Sequence, residues 1–83
     1  MNNIKIKAEI LKIIAELIEE KDIDITYMDF IEQRYSLKFV MKFRKDGKPY
    51  GFSYLCDTDY LAYGLEEVRI RLKNELNNIK TFE

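Results

Sequence analysis

At 83 residues the chain is of the size of one small domain, where a single core leaves a net stability of only roughly 3–5 kcal/mol. Its 35% charged and 47% hydrophobic residues, with a net charge of −1, are those of an ordinary globular chain, and no apolar run approaches the ~20 residues that cross a bilayer. With no His and a single Cys there is no imidazole base, no histidine or thiolate metal cage and no Ser-His or Cys-His pair, so three large classes of chemistry are excluded.

The periodicity predicts a first helix over about residues 3 to 21. At about 100° per residue, Ile4, Ile6, Ile10, Leu11, Ile13, Ile14, Leu17 and Ile18 fill roughly half its circumference. Lys5, Glu9, Lys12, Glu16, Glu19 and Glu20 fill the other half, and only Lys7 intrudes on the apolar side. So broad an apolar arc exceeds the stripe that a helix lays on one sheet, so it must touch a second body, either the other helix or a second copy of the chain. Glu9, Lys12 and Glu16 also interrupt any leader-like apolar segment, and the expected location is the cytoplasm.

Residues 23 to 31 read as a first strand, with Ile23, Ile25, Tyr27 and Ile31 on one face and Asp24, Thr26, Met28 and Phe30 on the other, broken by Asp29. Glu32-Gln33-Arg34 is short enough for a hairpin turn, which makes the three strands an antiparallel meander. Asp46-Gly47 fixes the next hairpin, because both central positions of a type I′ turn need positive φ, and Lys45 then pairs with Lys48. That register sets Phe43 opposite Tyr50, Met41 opposite Phe52, Phe39 opposite Tyr54 and Leu37 opposite Cys56, so the large apolar side chains of both strands gather on one face. Lys38, Lys42, Gly51, Ser53 and Leu55 then point the other way. Cys56 faces inward as a small buried hydrophobe, the alternative being a reactive or dimer-linking thiol.

Asp57-Thr58-Asp59 offers capping oxygens and negative charge for a second helix that runs to about Lys80. Leu61, Leu65, Val68, Leu72, Leu76 and Ile79 form its core stripe. Tyr60, Tyr63 and Ile70 fall behind that stripe, either as ordinary surface residues or as an interface. The expected fold is therefore α+β in αβββα order, a three-stranded antiparallel sheet with two helices packed on one face.

Charge is segregated along the chain. Residues 16 to 32 carry seven acids, among them Glu16, Glu19, Glu20, Asp22 and Asp24, against only Lys21, a net of −6. Residues 34 to 48 carry Arg34, Lys38, Lys42, Arg44, Lys45 and Lys48 against only Asp46, a net of +5. Two readings stay open: solvated faces whose charges pair locally, or a bipolar surface that steers a partner. For catalysis the sequence offers little. Ser36 and Ser53 have no base, Gly47 and Gly64 belong to no phosphate-cradling loop, and adjacent acids such as Glu66 and Glu67 splay apart on a helix. Glu16 and Glu20 share a helix face but read as surface charge, so neither a catalytic site, a metal site nor a cofactor is expected.

The outline of helix, three strands and helix is shared with the double-stranded-RNA-binding domain, whose lysine cluster at the start of the second helix is here replaced by Asp57, Asp59, Tyr60 and Tyr63. The stretch Phe39 to Gly51, with its basic strand, Asp46-Gly47 turn and return strand, followed by Asp57-Thr58-Asp59, resembles small phage-encoded anti-CRISPR proteins. That resemblance implies a non-catalytic inhibitor of a host defence protein such as a CRISPR nuclease, with acidic side chains standing in for phosphates. The partner-binding candidates are then Glu16, Glu19, Glu20, Asp22 and Asp24, with Asp29 and Glu32 beyond them, and Tyr60, Tyr63 and Ile70 on the second helix. Two alternatives remain: a homodimeric structural or regulatory protein, and a nucleic-acid-binding module that uses Lys38, Lys42, Arg44, Lys45 and Lys48.

Overall fold

A computed structural model describes residues 3–58 and 64–79, which run α1 (Asn3–Lys21), β1 (Asp24–Glu32), β2 (Ser36–Lys45), β3 (Lys48–Asp57) and α2 (Leu65–Asn77). Asp46 and Gly47 take φ of 54° and 78°, the paired positive values of a type I′ turn. From Lys45↔Lys48 to Ser36↔Asp57 the two strands then pair without a break, in the register that the turn dictates. Leu37, Phe39, Met41 and Phe43 are buried on one face of β2, against Tyr54 and Cys56 of β3. Phe43 and Tyr50 stack with ring centroids 5.4 Å apart. β1 pairs antiparallel with the other side of β2, giving the meander β1-β2-β3.

The faces expected for β1 need correction. Ile25 pairs with Phe43 but Tyr27 pairs with Lys42, so Thr26 is an extra residue, a β-bulge that reverses the alternation. The Thr26 hydroxyl donates to the Lys42 carbonyl at 3.2 Å. Ile23 and Ile25 therefore keep to the core side, where Met28 and Phe30 join them, while Tyr27 and Ile31 turn out to solvent.

Both helices lie on the core face of the sheet. α1 contributes Ile6, Ile10, Ile13, Ile14 and Leu17, and α2 contributes Val68, Leu72 and Leu76 with Leu65 and Ile79 at its margins. Contacts climb the two helices in the same direction: Glu9 meets Arg69, Glu16 meets Lys73, and Glu20 and Lys21 share a cleft with Leu76 and Asn77. The helices thus run parallel. Glu9, expected on the solvated half of α1, is instead buried, because it lies at the edge of that half against which α2 docks, while Lys5, Lys12, Glu16, Glu19 and Glu20 stay exposed. Its carboxylate accepts from Arg69 Nε at 2.7 Å, which supplies the charge and hydrogen bond that a buried acid requires.

Each helix is flanked at one end by a residue at positive φ. Asp22, at φ 54°, closes α1, its N–H donating to the Ile18 carbonyl at 3.0 Å. Gly64, at φ 71° and ψ −150°, precedes α2, which starts at Leu65 rather than at the Asp57-Thr58-Asp59 run. Asp57 still belongs to β3, opposite Ser36. The expected roles of Tyr60, Leu61, Tyr63 and Lys80 fall outside the described residues.

Candidate protein-binding surfaces

Because both helices cover one face of the sheet, the other face is left to solvent, and the register fixes what it carries. Its rows are Asp24, Arg44 and Pro49; Tyr27, Lys42 and Gly51; Asp29, Val40 and Ser53; and Ile31, Lys38 and Leu55. Leu55 is 62% exposed, and Tyr27 and Ile31 are exposed as well. A side chain at Gly51 would meet nothing within 4 Å, so the sheet is open there. The Lys42 ammonium lies 5.8 Å from the Tyr27 ring centroid, a cation–π distance. The Tyr27 hydroxyl donates to Asp29 at 3.3 Å, and the charge of Asp29 holds the phenol above its ordinary pKa. The other Asp29 oxygen accepts from the Phe30 N–H at 2.9 Å. Apolar and aromatic groups thus alternate with charged ones across this face.

The two charged stretches do not become opposite poles. The meander returns the Asp46-Gly47 turn to the C-terminal end of α1, where Lys45 Nζ donates to the Lys21 carbonyl at 2.9 Å. A cation there satisfies one orphan carbonyl and the negative end of the helix dipole. Asp24 lies directly across from Arg44. Glu16, Glu19, Glu20, Asp22 and Asp24 are all exposed at or near this end, with Glu16 3.9 Å from Lys73. Of the basic set, Arg44, Lys45 and Lys48 share this acidic end, while Lys38 and Lys42 stand farther along the open face. Ile70 is exposed on α2. Tyr60 and Tyr63 lie outside the described residues.

Besides Glu9, the buried titratable groups among the described residues lie on β3. Burial pushes the Cys56 thiol up from its ordinary pKa, and burial does the same, more strongly, to the neighbouring Tyr54 phenol. A protonated, buried thiol is a poor nucleophile. Among the described residues no group of three or more His, Cys, Asp or Glu is placed to hold a metal ion, and every buried side-chain N or O has a hydrogen-bond partner. No helix among them is long and apolar enough to cross a membrane.

Sequence reasoning missed the outward turn of Tyr27 and Ile31. The signal was Asp29: a carboxylate in mid-strand faces water, and Tyr27 and Ile31 share its parity. Comparisons with protein-family models, with curated proteins and with solved structures find no match to this chain.

Proposed function

We propose that this chain is a non-catalytic protein-binding module that engages its partner through the open face of the sheet. The observation that carries this reading is the exposure of Tyr27, Ile31 and Leu55 on one sheet face that the fold leaves uncovered, interleaved with Lys38 and Asp29. In its finer form the module is a small cytoplasmic inhibitor of a host defence protein, as the anti-CRISPR resemblance implies, with Glu16, Glu19, Glu20, Asp22 and Asp24 presented to a cationic groove. Exposed Ile70 extends that contact.

The test uses Ile31→Lys with Leu55→Lys. Both sites are exposed, so the melting temperature should hold, and a partner captured by the wild type should bind at least about 30-fold more weakly, the loss of a central anchor pair. Undiminished capture would overturn the sheet-face assignment. The inhibitor form is checked by adding the protein to a guide-loaded CRISPR nuclease: inhibition of cleavage that Glu19→Lys with Glu20→Lys removes supports it, and full cleavage at saturating protein rejects it.

One observation favours a second reading. Lys38, Lys42 and Arg44 share the open face with Tyr27, an arrangement of phosphate-binding charge and stacking surface suited to a single-stranded nucleic acid. Fluorescence anisotropy with a labelled oligonucleotide across a salt series separates the two, since nucleic-acid binding must weaken steeply with salt and vanish in Lys38→Glu with Lys42→Glu.

A further inference from the structure

α1 carries two apolar faces, and the fold uses one. Ile6, Ile10, Ile13, Ile14 and Leu17 are buried against the sheet and α2. On the far side Ile4, Ala8, Leu11, Ala15 and Ile18 are all exposed, the three large residues at 72%, 42% and 39%. Their spacing alternates four and three residues, the seam of a coiled coil over two heptads.

The order Ile-Ala-Leu-Ala-Ile reads the same in both directions. We propose that α1 is a self-association surface, on which a second copy of this chain packs its own α1 antiparallel about a two-fold axis at Leu11. This goes beyond the sheet-face reading and is independent of it, naming a second surface and its occupant. Antiparallel pairing sets Leu11 against Leu11 and Ile4 against Ile18, and brings Ala8 to within one residue of Ala15, where the small side chains let the helices approach closely. Such a surface is self-complementary, as an isologous dimer requires.

Charge selects the direction. Lys5, Lys12 and Glu19 each follow a seam residue by one position and line one flank, so the antiparallel dimer places Lys5 beside Glu19 of the second copy twice. Only Lys12 meets its like, near the axis. A parallel dimer would place this flank of each helix on opposite sides of the interface, where no Lys5–Glu19 pair forms, and would align the helix dipoles unfavourably. The seam is about 21 Å long at the helical rise. That is short of a large obligate interface, so the dimer is reversible, with dissociation in roughly the micromolar range.

Sedimentation equilibrium on the intact chain from a few to several hundred micromolar tests this. The mass should climb from 10.0 kDa towards twice that value with concentration. Leu11→Lys, at an exposed position, should leave the circular dichroism and melt of the dilute protein unchanged while weakening association by more than about tenfold. Lys5→Glu and Glu19→Lys should each weaken it, and the double exchange should restore it. A wild type that stays at 10.0 kDa throughout overturns the proposal, as does a dimer that survives Leu11→Lys. Single exchanges that the double does not rescue reject the antiparallel arrangement. The sheet-face variant Ile31→Lys with Leu55→Lys should dimerise normally, so loss of self-association with intact partner capture condemns this inference alone. Normal dimerisation without sheet-dependent capture condemns the sheet-face reading alone.

Discussion

Asp22 holds a backbone conformation that suits glycine better than aspartate. At φ 54° its Cβ is strained, and its negative charge lies at the negative end of the α1 dipole. Asp22→Gly should therefore stabilise the fold by about 0.5–1 kcal/mol, after allowance for the added freedom of glycine in the unfolded chain. For a domain of this size that is a rise of a few degrees in melting temperature, read directly from thermal denaturation. A concurrent loss of partner binding would mark Asp22 as a residue kept for contact at the expense of stability. Glu9 teaches a related lesson. Helical angle alone assigns it to the solvated half of α1, and only the position of α2 and the reach of Arg69 from 60 residues away make it a buried carboxylate.

At the level of elements, α1 is pinned to β1 by Lys7, whose ammonium is 2.7 Å from Glu32 and 5.7 Å from the centroid of Phe30. The hydrogen bond from Lys7, and then its charge, hold the Glu32 carboxyl below its ordinary value of 4.5. A depressed native pKa contributes stability that is present above the unfolded value and lost as pH falls through the native one. Melting temperatures of wild type and Lys7→Met, compared between neutral pH and pH values below 4.5, should show a shallower acid decline in the variant. Equal declines would mean that the pair does not persist in solution. The legibility of the sheet from sequence follows from the same local forces. The β2–β3 hairpin was readable in full, because two φ-demanding turn residues and two matched alternations specify one register. β1 was readable only in part: its bulge depends on a side-chain hydrogen bond from Thr26 to the neighbouring strand, which no periodicity announces. The start of α2 was misplaced for a different reason, since Asp57 satisfies a strand as well as a cap and Gly64 sets the helix start. Of the candidate surfaces, the outward Lys38, Lys42 and Leu55 could be read from the hairpin register, whereas Tyr27 and Ile31 waited on the bulge.

Across the whole molecule, the chain path decides what the segregated charge means. In sequence the −6 and +5 stretches suggest a dipole; in space a three-stranded meander carries the basic turn back to the acidic end of α1. Lys45 there answers the C-terminus of α1, and Arg44 lies across from Asp24. The local reading of these charges thus accounts for that end, and Lys38 and Lys42 are the cations left to the open face.

The meander also sets an order of events in time. Each strand pairs with its neighbour in sequence, whereas α2 makes its main contacts with α1 and β3, and it lies near Cys56, whose thiol feels Glu67 and Arg71. Helix α2 is thus the unit whose detachment costs least and closes last. Each detachment uncovers a thiol that the native state conceals, so Cys56 acts as a clock for it. Native-state labelling with a thiol reagent should run faster than global unfolding allows, and Leu72→Ala should speed it more than it speeds amide exchange in β2. Labelling that keeps step with β2 exchange would instead mean that helix and sheet open together.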